Sequence, residues 1–92
     1  MKYRTSRNYI LRNIGGRDVL VSVGANVVSF NGYIELNPSA AFIYKKIQEE
    51  SAEEEIAKAL AEEFGITYDT ALSDVREFAG ELIEEKIITV TE

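Results

Sequence analysis

The side chains that most often carry chemistry are scarce in this chain. It has no histidine and no cysteine. That removes the commonest general base, the commonest zinc ligands and any disulfide framework. The densest run of reactive groups is Glu53-Glu54-Glu55. Paired carboxylates do acid–base or metal chemistry only where ligands converge from other elements, and no such set is indicated. The run suits a helix start, where acids meet the positive end of the dipole. Gly15-Gly16 is followed by no lysine-serine ending, so it reads as a turn and not as a phosphate cradle. No catalytic, cofactor-binding or metal-binding residues are assigned, and no cofactor is expected.

The stretch that organises the chain is Phe30-Asn31-Gly32-Tyr33-Ile34-Glu35-Leu36-Asn37-Pro38. Asn31-Gly32 is a two-residue turn signal. Tyr33 to Leu36 is short and β-prone, with Glu35 pointing away from Ile34 and Leu36. Asn37 is a preferred N-cap, and Pro38 fits the first position of a helix. Before this joint the chain reads as β-structure. Tyr9 to Ile14 and Asp18 to Val23 form strands around the glycine turn. Val19, Val21 and Val23 share one face, expected on the core, with Leu20 and Ser22 on the other. Gly24-Ala25-Asn26 breaks the run, and Val27 to Phe30 reads as a strand pairing through Asn31-Gly32 with Tyr33 to Leu36.

After the joint the periodicity is helical. Helix one spans about 38–48, with Ala40, Ile43, Tyr44 and Ile47 on one face and Phe42 off that stripe. Helix two spans about 52–64, capped by Ser51 with Glu54 as a capping box. Its stripe is Ile56, Ala57, Leu60, Ala61 and Phe64, and Gly65 is a left-handed stop. Helix three spans about 68–85, with Thr67 as cap. Its apolar members are Tyr68, Ala71, Leu72, Val75, Phe78, Ala79, Leu82 and Ile83, an arc of roughly 140°. That is wider than one helix contact needs. Arg76 borders the Leu72–Ile83 margin. Ile87 to Thr91 has strand character.

Ninety-two residues, 46% hydrophobic, make one small globular domain. No apolar run approaches a membrane span of about 20 residues, and Met1 to Asn8 has no signal core behind it, so a cytoplasmic protein is expected. The net charge of −6 is uneven. Residues 1–17 hold Lys2, Arg4, Arg7, Arg12 and Arg17 and no acid, while all the acids follow. Residues 1–8 read as a basic arm.

The order of these elements and several segments resemble the PqqD-like family of small peptide-binding proteins, the recognition elements of ribosomal-peptide modification. The matching pieces are Tyr33-Ile34-Glu35-Leu36-Asn37, Ala40-Ala41-Phe42-Ile43, Glu54-Glu55-Ile56-Ala57-Lys58-Ala59-Leu60, Phe64-Gly65-Ile66, and Ala71-Leu72-Ser73-Asp74-Val75 with Leu82 and Ile87-Ile88. Together they cover about residues 9–90. Two positions depart from the pattern. Lys86 stands where the family usually has a glycine, so helix three is expected to end differently, running on by a turn. Tyr44 stands where many members carry a tryptophan.

The resemblance implies an α+β, winged helix-turn-helix-like fold: an antiparallel sheet of three or four strands, then three helices. It also implies a non-enzymatic peptide chaperone. Such a protein binds the leader of a precursor peptide as an added strand and presents it to a modifying enzyme, often a radical-SAM enzyme. An open strand edge supplies main-chain donors and acceptors for that purpose. Carried onto this chain, the peptide-binding residues are Tyr33, Ile34, Glu35 and Leu36 on the strand, with Leu72, Val75, Arg76 and Ala79 on helix three. Two rival readings remain. A winged-helix DNA-binding regulator conflicts with charge, because Tyr68 to Glu85 holds one base, Arg76, against Asp69, Asp74, Glu77, Glu81, Glu84 and Glu85. A structural subunit would use the same edge to form a homodimer.

Overall fold

The computed structural model describes residues 2–6, 9–22 and 33–91. The element order is β1 (Lys2–Thr5), β2 (Tyr9–Ile14), β3 (Arg17–Ser22), β4 (Tyr33–Leu36), α1 (Pro38–Gln48), α2 (Glu53–Phe64), α3 (Tyr68–Glu84) and β5 (Ile88–Thr91). The fold is α+β, with an antiparallel sheet β2-β3-β4 and a separate antiparallel pair β1-β5. The expected strand at Val27 to Phe30, the break at Gly24 and the Asn31-Gly32 turn lie outside the described residues.

β2 and β3 close around Gly15 (φ 61°) and Gly16 (φ 86°). Both residues need positive φ, which matches strand twist and which glycine adopts without steric cost. Across the sheet, Leu11 faces Leu20 and Leu20 faces Ile34. Leu20 is fully buried in the core cluster, with Leu11 and Ile34 packed against it. The inward face is therefore the Leu20 face, not the Val19–Val21 face expected from sequence. Asp18-Val19-Leu20-Val21 is apolar at three successive positions, so alternation cannot mark the inner side. The choice falls to β4, whose Ile34 and Leu36 must meet the helix that follows them. Val19 is also buried, but on the outer side, beside Ile14, Arg17 and Glu35.

The segment expected as a basic arm is largely strand. Lys2 to Thr5 pair with Thr91 to Ile88. Side chains alternate, with Lys2 and Arg4 exposed and Tyr3 buried at 3%. Period two with one large aromatic on the inner face was enough to anchor it.

Helix ends follow cap chemistry. The Asn37 Oδ1 accepts the Ala40 N–H at 2.8 Å and the Ser39 hydroxyl at 3.0 Å. Thr67 Oγ1 accepts the Thr70 N–H at 3.2 Å. The start of α2 is shifted by one residue from the expected box: Ala52 is the N-cap, and its N–H donates to Glu55 Oε1 at 3.1 Å. Alanine has no acceptor to return, so only half the box forms. The residue following the cap is Glu53, and its buried carboxylate fixes this register. α2 stops at Gly65, left-handed at φ 66° as expected.

α3 does not run on at Lys86. Lys86 itself adopts the left-handed conformation (φ 62°). Its N–H donates to Ile83 O at 3.0 Å, and the Ile87 N–H donates to Leu82 O at 2.8 Å. This pair of bonds is a Schellman ending with lysine in the glycine position. It turns Ile87 and Ile88 into the core, at 0% and 1% exposure. Glu50 (φ 60°) ends α1 in the same way, with bonds to Ile47 O and from Ser51 to Lys46 O.

The core gathers Ala41, Ile43, Tyr44 and Ile47 of α1, Ile56, Ala57 and Leu60 of α2, and Ala71, Val75, Ala79 and Leu82 of α3. Tyr3, Leu20, Leu36, Ile87 and Ile88 complete it. Phe42, off the main stripe, meets Phe64 edge to face at 5.7 Å between centroids, with Lys46 over its ring. Gly80 is exposed with open space around it, and nothing in the structure explains the glycine.

Candidate functional site

β4 pairs with β3 on one side only, so among the described residues its other side is a sheet edge. An edge strand presents a row of unpaired N–H and C=O groups. Because Asn37 and Pro38 turn the chain directly from β4 into α1, that edge lies close to the helical layer. Between it and α3 runs a groove of about 450 Å³ lined by Ile34, Glu35, Leu36, Asn37, Ala40, Phe78, Glu81, Leu82 and Glu85. Ile34, Leu36, Ala40, Phe78 and Leu82 give it an apolar floor. The groove continues past Asn37 and Ser39 between α1 and α3, along Asp74, Glu77, Phe78 and Glu81.

The strand half of the expected site lies here. Ile34 is half-buried and Leu36 is buried at 6%, both on the inward side. Glu35 points outward and meets Arg17 at 3.4 Å in an exposed pair. Tyr33 opens β4 opposite Val21. The helix half is placed elsewhere. Val75 and Ala79 are buried at 0% and 1% in the core, where no ligand reaches them. Leu72 is half-buried against the same core. Arg76 lies about 160° around the helix from Phe78, on the opposite side of α3 from the groove floor. There its Nε and one terminal nitrogen both lie 3.2 Å from Glu53 Oε1.

The apolar arc of α3 has two margins, and the margin beside β4 is Phe78 and Leu82, not Leu72 and Arg76. Periodicity fixes the arc but not its rotation toward a strand distant in sequence. One signal did exist. Phe78 and Leu82 are flanked by Asp74, Glu81 and Glu85, the pattern of a helix edge that stays wet.

Arg76 is instead part of a buried polar group. Glu53, 3% exposed, accepts the Tyr3 hydroxyl at 2.5 Å on its other oxygen. Burial chiefly, then the hydrogen bond to Glu53 and its negative charge, push the Tyr3 phenol well above its ordinary value. This trio ties β1, α2 and α3 together, and none of its members lines the groove. Among the described residues no group of acids is arranged to hold a metal ion, and no helix is long and apolar enough to cross a membrane.

A winged-helix-like α+β domain with a strand that forms a sheet edge among the described residues, beside a helix-walled groove, is the class of structure that these features define. The chain belongs to the PqqD family: residues 9–88 match the family described as Coenzyme PQQ synthesis protein D (PqqD). No curated protein matches it in sequence. Two solved structures share its fold. One is TbiB1 in complex with the TbiA(beta) leader peptide, 20% identical, covering 97% of this chain and 98% of that one, TM-score 0.78. The other is lasso peptide synthetase B1 complexed with its leader peptide, 18% identical, covering 98% and 100%, TM-score 0.80.

Proposed function

We propose that this protein is a non-catalytic peptide chaperone. It binds the leader of a ribosomally made precursor by adding it as a strand to β4, and holds it for a modifying enzyme in the cytoplasm. The observation that carries this reading is the edge of β4, unpaired among the described residues, facing an apolar-floored groove on α3. Main-chain pairing supplies affinity, and the groove selects alternate side chains. Membership of the PqqD family and the leader peptides present in both fold neighbours support it. The family resemblance makes a radical-SAM enzyme the first partner to test. The strand contributes Tyr33 to Leu36. On the helix, Phe78, Glu81, Leu82 and Glu85 take the place assigned from sequence to Leu72, Val75, Arg76 and Ala79.

Calorimetric titration with the leader of a precursor encoded beside this gene tests the proposal, followed by amide chemical shifts. Heat with shifts at residues 33–36 and 78–85 is expected. No heat and no shift at β4 would refute it. Charge disfavours a DNA-binding role, since the groove-facing side of α3 carries Asp74, Glu77, Glu81 and Glu85 and would repel phosphates.

A further inference from the structure

The groove is charged in one sense only. Glu81 and Glu85 line it beside Phe78 and Leu82, and Asp74 and Glu77 line its continuation. None of these four acids has an ion-pair partner among the described residues. The cations that do pair are committed elsewhere: Arg4 to Glu50, Arg17 to Glu35, Lys46 to Glu49 and Arg76 to Glu53. The arrangement also works against the helix. Glu77–Glu81 and Glu81–Glu85 are like charges four residues apart. The last turn of α3 holds no base, so only Lys86, just past its end, meets the negative end of the dipole. A cationic occupant relieves the repulsion among these acids.

Resting on the strand-addition reading above, we infer that the peptide seated beside β4 is basic on its inward side: a Lys or Arg directed at α3, two residues from an apolar side chain. A strand added to β4 sends every second side chain toward the helices. One such side chain fills the floor between Ile34, Leu36 and Phe78. At the next inward position a long aliphatic stem lies on Phe78 and Leu82 while its charged head reaches Glu81 and Glu85. Outward-facing positions run past Glu35, which Arg17 already neutralises, so selection by charge comes from the inward side.

Three synthetic peptides of about nine residues separate the possibilities, the length being that of a strand spanning β4 with margin on both sides. Each alternates threonine with valine and one variable residue, which is lysine, glutamine or glutamate. Fluorescence anisotropy gives affinities at low and high salt, and amide shifts locate the contact. The lysine peptide is expected to bind about tenfold more tightly than the glutamine peptide at low salt, with the gap closing at high salt. The double variant Glu81→Lys/Glu85→Lys inverts the order, and Glu81→Gln/Glu85→Gln, which keeps the shape, removes the preference. Glu62→Lys/Glu63→Lys, with the same change in net charge on exposed α2 positions, leaves it intact. Equal affinities for the lysine and glutamine peptides, with shifts at β4, would overturn the basic-peptide inference and leave strand addition standing. So would equal loss of preference in the α2 variant. Absence of β4 shifts with all three peptides would overturn both.

Discussion

Replacing Arg76 by methionine should destabilise the fold without touching the groove. Methionine keeps an apolar stem on the helix surface and removes only the guanidinium. Glu53 Oε1 then loses both of its N–H donors, each at 3.2 Å, in a site where the Glu53 side chain is 4% exposed. A hydrogen bond to a charged group is worth roughly 1.5–3 kcal/mol, and a buried acceptor left unmade costs more. Two considerations reduce the figure. The Arg76 side chain is 61% exposed, so water already screens the pair. The carboxylate also keeps the Tyr3 hydroxyl and its place at the positive start of α2. A loss of about 2 kcal/mol is the result, a drop in Tm on the order of 10 °C for a domain of this size. Urea denaturation followed by circular dichroism measures it, with Arg17→Met as the control. The Arg17–Glu35 pair is exposed at 72% and 51%, so its removal should cost under about 0.5 kcal/mol. A double cycle with Glu53→Gln isolates the coupling. If Arg76→Met costs no more than Arg17→Met, the buried trio is not a structural tie and the reasoning fails. Leader affinity per folded molecule should be unchanged. A marked loss of affinity with stability intact would return Arg76 to the binding surface.

The two left-handed helix endings should both gain from glycine. Relief of a side chain held at positive φ is worth about 1 kcal/mol. Glu50→Gly should gain more than Lys86→Gly, because Glu50 opposes the negative end of α1 whereas Lys86 complements that of α3. Thermal melts rank them, and a Tm lowered by either change would show that the side chain makes a contact worth more than the strain. Stability should also fall in alkali. Burial raises the Tyr44 phenol, and burial with Glu53 raises that of Tyr3, so the folded state favours both neutral forms. Their contribution is complete below the unfolded value of about 10 and is lost as pH rises above it toward the folded values. Tyr3→Phe and Tyr44→Phe should each flatten the decline between neutral pH and about pH 11 in denaturant titrations. An unchanged slope in both would contradict the shifts.

Most of the helical layer was legible because its signals are local. Asn37-Pro38, Thr67 and Gly65 mark ends through chemistry confined to three or four residues, and each lies at a helix end in the structure. The exceptions arise from demands that are not local. Ala52 caps α2 in preference to Ser51 because the chain must deliver Glu53 to Tyr3 and Arg76, residues 50 and 23 positions away. Lys86 takes a glycine's conformation because Ile87 and Ile88 must enter the core, and no propensity scale at Lys86 records that demand. β1 was hidden for a related reason: its partner is at the other end of the chain.

The groove shows the same division more sharply. Residues 33–36 could be delimited as a strand from the turn signal before them and the cap after them, and the family resemblance made that strand the expected docking edge. The facing helix wall depends on a rotation of α3 about its own axis, and that rotation is decided by what α3 buries. Ala71, Val75 and Ala79, spaced four apart, are small or β-branched and let α2 approach closely, so they turn inward. Leu72 and Arg76, one position further round, are carried to the side of Glu53, and Phe78 and Leu82 to the side of β4. The wide apolar arc therefore resolves into a packed centre and two unlike margins. One margin is closed by an ion pair from within the protein. The other ends in acids that no ion pair among the described residues neutralises, and it is this second margin that the proposed strand addition would use.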